Sequence, residues 1–221
     1  MLTIALSKGR LAEETLPLLA QAGLPVQNLA EDGRRLLIDY PEAGIRYLWC
    51  RPADVPVYVE YGAADLGIAG KDSLLESEAQ VFELADLRVG FCRLVVAVPR
   101  RLWEEKGGER EFNLRLLQGR RVATKFPRVA GNYFRSLGLQ VEIIRLHGNI
   151  ELAPQVGLAD LIVDLVSSGR TLAANDLVAV AEIATCTARL IANRASFHLQ
   201  HEQLQRVVAG LKESAREETG K

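Results

Sequence analysis

Short apolar runs alternate with amphipathic stretches along the chain, and turn residues separate them. Residues 3–6 form an apolar run that Ser7-Lys8-Gly9-Arg10 breaks. Residues 11–22 then place Leu11, Leu16, Leu18, Leu19 and Ala22 at helical spacing until Gly23 stops them. The pattern predicts strand, turn, helix. Residues 34–40 and 45–50 read as two strands joined by a turn at 41–44. Asp54 caps a helix through Ala63, with Pro56 tolerated in its first turn. Residues 65–69 read as a buried strand, followed by a Gly70 turn and a short helix near 72–76.

Residues 88–98 are the longest strand candidate, closed by Pro99. The charged stretch 100–119, with Gly107-Gly108 inside it, divides between loop and helix. The opening logic then repeats: strand 121–124, helix 129–137, strand 141–146, helix 151–157, strand 161–165, a Ser167-Ser168-Gly169 turn and a helix from Thr171. Residues 177–187 and 188–192 are strand material, and 196–218 form one long amphipathic helix with Leu204, Val207, Val208 and Leu211 as its stripe. Strands alternating with helices imply an α/β fold with mixed or parallel sheets covered on both faces. The strands are too many for one small sheet. The expectation is therefore two lobes with a ligand cleft between them, the layout of type II periplasmic solute-binding proteins. Lobe I takes residues 1–90 and 178–221, and lobe II takes 91–177.

Composition narrows the function. The 221 residues are 48% hydrophobic and 25% charged, as in an ordinary globular protein. Lys plus Arg number 27 against 28 Asp plus Glu, a balance that argues against a nucleic-acid coat or a polybasic membrane binder. No apolar run is long enough to predict a transmembrane helix, and the start lacks the basic n-region and cleavage site of a secretory signal. Cys50, Cys92 and Cys186 are odd in number and far apart, so they read as reduced, mostly buried thiols of a cytoplasmic protein. His198 and His201, beside Glu202, lack further convergent ligands and read as a solvated helix face rather than a metal site.

The most informative stretch runs from Ala159 to Leu172. An apolar strand delivers Asp164 to its C-terminal end, a Ser-Ser-Gly-x-Thr turn follows, and a helix starts at once. Such a turn aims several backbone N–H groups at one point. Ser167, Ser168 and Thr171 add hydroxyls, and Gly169 permits positive φ or close backbone approach. A phosphate monoester needs those donors. Asp164 would repel phosphate but accepts hydrogen bonds from hydroxyls, so the pair suggests a phosphorylated sugar. The same spacing is met equally by a helix that Ser and Thr cap locally.

The segment Asp164-Leu165-Val166-Ser167-Ser168-Gly169-Arg170-Thr171-Leu172, followed by Asn175, resembles the phosphoribosyl-pyrophosphate loop of the ATP phosphoribosyltransferase family. Four more segments resemble that family in order: Leu6 to Leu11, Arg51 to Pro56, Asp65 to Asp72, and Gly148 to Pro154. The likeness extends to about residue 211. Departures are mild: Ser7 stands where proline is common, Ser168 where threonine is, and Asn149 where serine is.

The resemblance implies that ATP and phosphoribosyl pyrophosphate give N1-(5-phosphoribosyl)-ATP and pyrophosphate. Lys8, Arg10 and Arg51 become candidate catalytic cations for phosphate groups, with Arg suited to paired hydrogen bonds. Glu151, Asp164, Ser167, Ser168, Gly169, Arg170 and Thr171 become the phosphoribosyl-pyrophosphate set. Gly9, Asp65, Gly67, Gly70, Asp72 and Lys125 become the ATP set, although Asp65 and Asp72 read equally as caps and Lys125 as an exposed loop cation. Mg²⁺ is implied as a companion of the pyrophosphate, with no metal site of the chain's own. Adenine N1 carries no proton, so no general base is demanded. Tyr133 and Phe134 read as helix core.

Without the regulatory C-terminal domain of longer relatives, the chain resembles the short form. That form implies a homodimer of catalytic chains and a regulatory subunit related to histidyl-tRNA synthetase in a hetero-octamer. The main alternative is a cytoplasmic two-lobe small-anion binding module without catalysis. A purine or pyrimidine phosphoribosyltransferase is a second, but it leaves Lys8–Arg10 and Asp65–Asp72 without a place.

Overall fold

The computed structural model describes residues 1–29, 35–108 and 112–218. The chain opens with β1 (Leu2–Ser7), α1 (Arg10–Gln21), β2 (Leu37–Tyr40), β3 (Ile45–Cys50), α2 (Val55–Glu60), β4 (Leu66–Gly70), α3 (Lys71–Ser77) and β5 (Phe82–Asp86). It continues through β6 (Cys92–Pro99), α4 (Arg100–Glu105), β7 (Arg121–Thr124), α5 (Pro127–Ser136), β8 (Glu142–Arg145), β9 (Leu161–Val166), α6 (Arg170–Ala174) and β10 (Leu177–Cys186). It closes with β11 (Ala188–Ala192), α7 (Arg194–Leu199) and α8 (His201–Glu218). Two compact units result: Met1–Phe91 with Thr187–Lys221, and Cys92–Cys186.

In unit 1 the strand order is β2-β3-β1-β4-β11-β5. β1 runs parallel to β3 and β4, while β11 is antiparallel to both β4 and β5. Strand alternation sorts the side chains. Leu2, Ile4 and Leu6 join a core with Leu18 and Leu19 of α1 and Leu204, Val208 and Leu211 of α8. Ala5, Ala69 and Ile191 face the other way, onto Val55 and Val59 of α2. Small residues let α2 lie close. A Cβ on Gly67 would stand 2.7 Å from Val59 Cγ2 and 2.9 Å from Val55 Cγ1.

In unit 2 the order is β10-β6-β9-β7-β8. β7 is parallel to β8 and β9, and β6 is antiparallel to β9 and β10. Val95, Ala97, Ala123 and Ile162 build its core with Ile150, Leu172 and Leu177.

Several expectations need correction. The chain returns to unit 1 at Thr187, not near 178, because β10 pairs along β6 from Leu177 to Cys186. The strand expected over 88–98 begins only at Cys92. The strand ahead of it is β5, with Phe82, Leu84 and Ala85 half-buried and Glu83 and Asp86 exposed. The expected helix 151–157 is one 3-10 turn, Ile150–Leu152. The long C-terminal helix breaks at Gln200, and α7 starts at Arg194, where the Asn193 side chain accepts the Ser196 amide. The α2 helix stops at Glu60, and Gly62 turns the chain at φ 74°. Arg34, the expected first residue of the second strand, lies outside the described residues, as do 109–111 of the charged stretch and the last three residues. Cys186 is buried, but Cys50 and Cys92 are half-buried rather than buried.

Candidate active site

Unit 2 carries its chemistry at the carboxyl ends of parallel strands. The chain moves from β7 to β8 on one side and then to β9 on the other, so β7 is a switch point of the kind that opens a ligand crevice. Lys125 follows β7, Glu151 follows β8, and Asp164 to Thr171 occupy the end of β9 and the loop beyond it. Thr124 Oγ1 accepts the Phe126 amide at 2.9 Å, a tight turn that leaves Lys125 exposed. Glu151 rides on the 3-10 turn after Asn149, which adopts left-handed backbone at φ 51°. Asparagine tolerates that conformation and β-branched residues do not.

These segments enclose a cavity of about 240 Å³ lined by Glu151, Asp164, Ser167, Ser168, Gly169 and Thr171, with Leu165, Val166 and Leu172 as its apolar wall. Gly169 sits at φ 76°, and non-glycine residues adopt that region at a penalty. Among the described residues, no protein acceptor takes the amides of Ser168, Gly169, Arg170 or Thr171. The amides of Ser168, Gly169 and Thr171, three residues of the cavity lining, are therefore left to a ligand or solvent. α6 has five residues, too few for a strong dipole, so the turn itself supplies the donors. Arg170 is not in the cavity wall. Its Nε donates to Ser168 Oγ at 3.2 Å and braces the turn. Gln155 Nε2 donates to Asn175 Oδ1 at 2.9 Å, and Asn175 Nδ2 donates to the Thr171 carbonyl at 2.9 Å, tying the Glu151 segment to α6.

Asp164 is the perturbed acid of the cavity. Burial pushes its carboxyl above the usual aspartate range, and the Glu151 carboxylate pushes the same way. The Leu165 amide, 2.8 Å from Oδ1, and the Lys125 ammonium act against that rise. Two carboxylates thus share the cavity while an ammonium outside its lining acts on one of them, a perturbed acid in a concave site of the kind that marks functional sites.

Unit 1 repeats the geometry. β1 lies between parallel β3 and β4, which makes it the switch point. Ser7 pairs with Cys50, so Lys8 and Arg51 leave adjacent strand ends side by side. Ser7 is buried, and its hydroxyl lacks a partner among the described residues. Gly9 takes φ 94° ahead of α1, and Lys8 and Arg51 are exposed. Arg10 Nε pairs with Glu14 at 3.0 Å, and its Nη2 donates to the Phe91 carbonyl at 3.1 Å. Glu14 also accepts the Gly90 amide at 2.6 Å. Sequence reading missed Glu14, although its i, i+4 spacing from Arg10 was a usable signal.

Asp72 folds back over Gly70: a Cβ there would lie 2.2 Å from Asp72 Oδ1. Its carboxylate thus sits in the first turn of α3, where it complements the helix. Asp65 and Gly67 lie away from this end. Asp65 precedes β4, at the opposite edge of the sheet from Gly70. Its carboxylate accepts from the Thr3 amide at 2.8 Å, Ser196 Oγ at 2.6 Å and Gln200 Nε2 at 3.0 Å. Gly67 makes room for α2. The expected ATP set is therefore divided: Gly9, Gly70 and Asp72 share the carboxyl end of the unit 1 sheet, Asp65 and Gly67 have packing roles, and Lys125 sits beside Asp164 in unit 2. His198 and His201 are exposed and line an open concavity of about 600 Å³ formed wholly by residues 198–206.

Residues 51–213 match the family model described as HisG: ATP phosphoribosyltransferase. The chain belongs to the ATP phosphoribosyltransferase family. It is 61% identical to the ATP phosphoribosyltransferase of Moorella thermoacetica over 97% of this chain and 93% of that protein. The enzyme of the same name from Syntrophomonas wolfei is 51% identical over 95% of this chain and 94% of its own length. In structure, the chain resembles the ATP phosphoribosyl transferase (HisG:HisZ) complex from Thermotoga maritima, with a TM-score of 0.81 and 34% identity over 98% of this chain and 100% of that one. The alkanesulfonate-binding protein SsuA from Xanthomonas axonopodis matches with a TM-score of 0.57 at 17% identity, covering 99% of this chain and 75% of that one.

That last likeness speaks to fold alone: an α/β architecture of the type II periplasmic-binding class, as the strand and helix pattern predicts. The binding-module alternative is not favoured, because the near-full-length relatives from Moorella thermoacetica and Syntrophomonas wolfei, at 61% and 51% identity, are named ATP phosphoribosyltransferases. Membership in the ATP phosphoribosyltransferase family makes the chain a transferase.

Proposed function

We propose that this chain transfers the 5-phosphoribosyl group of phosphoribosyl pyrophosphate to N1 of ATP and releases pyrophosphate, the first step of histidine biosynthesis. The observation that carries this reading is the unit 2 cavity, where unengaged amides adjoin two carboxylates. A sugar phosphate presents those complements: a dianion for the amides and hydroxyls for the acids.

The nitrogen attacks the anomeric carbon while the bond to pyrophosphate breaks. Positive charge grows on the ribose ring and negative charge on the leaving group, so positioning and electrostatics do the work. The turn from Ser167 to Thr171 holds the 5-phosphate, and Asp164 and Glu151 accept from the ribose hydroxyls. Their charge also favours the electron-poor ring. Lys8, Arg10 and Arg51 hold phosphate groups, and the backbone at Gly9 and Gly70 allows the nucleotide close approach. Enzymes lower barriers by at least about 8 kcal/mol, whereas one hydrogen bond to a charged group gives about 1.5–3 kcal/mol. Several of these contacts must therefore tighten together in the transition state. Glu151 and Asp164 also suit a Mg²⁺ carried in on the pyrophosphate, since Mg²⁺ takes one or two carboxylates alongside phosphate oxygens; bound there, it would offset the leaving group's charge.

The reading extends to a cytoplasmic homodimer that works with a regulatory subunit related to histidyl-tRNA synthetase in a hetero-octamer. The likeness to the Thermotoga maritima HisG:HisZ complex supports the partner subunit within that reading. Mixing the purified chain with ATP, phosphoribosyl pyrophosphate and Mg²⁺ tests the chemistry. A new ultraviolet-absorbing adduct and one pyrophosphate per adduct are expected, with weak turnover alone and histidine inhibition only when the regulatory subunit is added. Absence of adduct with the subunit present would refute the reading.

A further inference from the structure

Cys92 and Cys186 are the first and last residues of unit 2, and they stand directly opposite each other on antiparallel β6 and β10. Directly opposed residues of an antiparallel pair project from the same face, with Cα atoms about 4.5–5.5 Å apart. A disulfide spans Cα separations of about 4.4–6.8 Å, so either kind of opposed pair lies within reach. Cys186 is buried and Cys92 is half-buried, so Cys92 is the residue a reagent meets first and Cys186 is its neighbour on the same face. Neither residue has a part in the transfer reaction.

We propose that Cys92 and Cys186 form a redox-modification site that closes to a cross-strand disulfide on exchange with a low-molecular-weight disulfide. The Cys92 thiolate attacks the reagent's S–S bond, forms a mixed disulfide and releases one thiol. The Cys186 thiolate then attacks the Cys92 sulfur and releases the second thiol. One reagent disulfide is reduced to two thiols, two protein thiols are oxidised to one disulfide, and each protein thiol gives up its proton. The bridge closes a loop that contains the whole of unit 2, and long loops gain most from closure.

Cys50 supplies an internal control. It lies on β3 in unit 1, where burial, aided by the Asp54 carboxylate, pushes its thiol up to about 12. A thiol so rarely ionised exchanges slowly.

The experiment incubates the whole protein with glutathione disulfide, blocks remaining thiols with an alkylating agent in denaturant, and maps the peptides. The expected product joins the Cys92 and Cys186 peptides, leaves Cys50 alkylated and retains no glutathione. The thermal midpoint of the oxidised protein should rise by on the order of 10 °C and return on reduction. Cys92→Ser should abolish both the joined peptide and the shift, whereas Cys50→Ala should keep both. A stable glutathione adduct at Cys92, or two unreacted thiols, would overturn the site. A bridge that leaves the midpoint unchanged or lowers it would overturn the closure argument.

Discussion

Replacing Asp164 with Asn should separate what the carboxylate does for the reaction from what it does to the fold. The change is nearly isosteric and keeps the oxygen that accepts the Leu165 amide at 2.8 Å. It removes the charge and turns one acceptor into a donor. One hydroxyl bond to the ribose is then lost and the other falls from charged to neutral strength. Together these amount to about 2–4 kcal/mol, or roughly 30- to 1,000-fold in kcat/KM.

Stability should move the other way. The folded carboxyl titrates above the unfolded one, chiefly through burial and with Glu151 adding to it. Folding therefore favours the protonated form. Stability falls as pH rises from the ordinary aspartate range through the raised folded value. At neutral pH the native protein bears that penalty and the Asn variant does not, so the variant should melt at the same temperature or higher. The advantage should vanish in acid below the ordinary aspartate range. The native enzyme's turnover should also begin to fall on acidification at a higher pH than an ordinary aspartate would dictate. Adduct formation and calorimetry at the two pH values read all of this. A variant that melts lower at neutral pH yet turns over normally would refute the assignment.

Arg10→Ala removes the cation held by Glu14 and Phe91 and should lower kcat by about 100-fold or more without unfolding the protein; unchanged turnover would exclude it from the site. Gly169→Ala forces a Cβ into backbone at φ 76°, a strain of about 1–2 kcal/mol, and should raise KM for phosphoribosyl pyrophosphate more than KM for ATP. Asp65→Ala breaks hydrogen bonds to Thr3, Ser196 and Gln200 and should destabilise the fold by about 3–5 kcal/mol in denaturant melts. Turnover per folded molecule should stay unchanged. If Asp65→Ala instead keeps its stability and loses turnover, Asp65 contacts the nucleotide.

The parts of the site that were legible in the sequence lie where a strand ends in a turn of unusual composition. Glycine between cations at residues 8–10, and Ser-Ser-Gly before Thr171, mark loops whose backbone must do something a helix or strand does not. Asp65 and Gly67 show the limit of that logic. Both adjoin an apolar run, yet a motif string does not say which end of the strand a residue occupies or which helix presses on it. Gly67 serves Val55 and Val59, whose proximity only the packing reveals. Lys125 stands at a strand end in the sequence pattern as in the fold, but the Asp164 it acts on is distant in sequence and is brought near through the β7–β9 pairing. The β5 strand was missed because it is an edge strand with Glu83 and Asp86 exposed. The break at Gln200 is hidden because neither Gly nor Pro marks it in the stretch 194–205.

The position of β11 between β4 and β5 has a consequence for biosynthesis. The ribosome delivers that strand only after the whole of unit 2 has been made, so the N-terminal sheet waits with a gap in its middle. The stretch from Cys92 to Cys186, by contrast, is contiguous and carries its own five-stranded sheet. Nascent chains halted once residue 186 has cleared the exit tunnel should resist protease in that stretch and remain cleavable ahead of it. Protection of the N-terminal strands should appear only when residues 188–200 emerge.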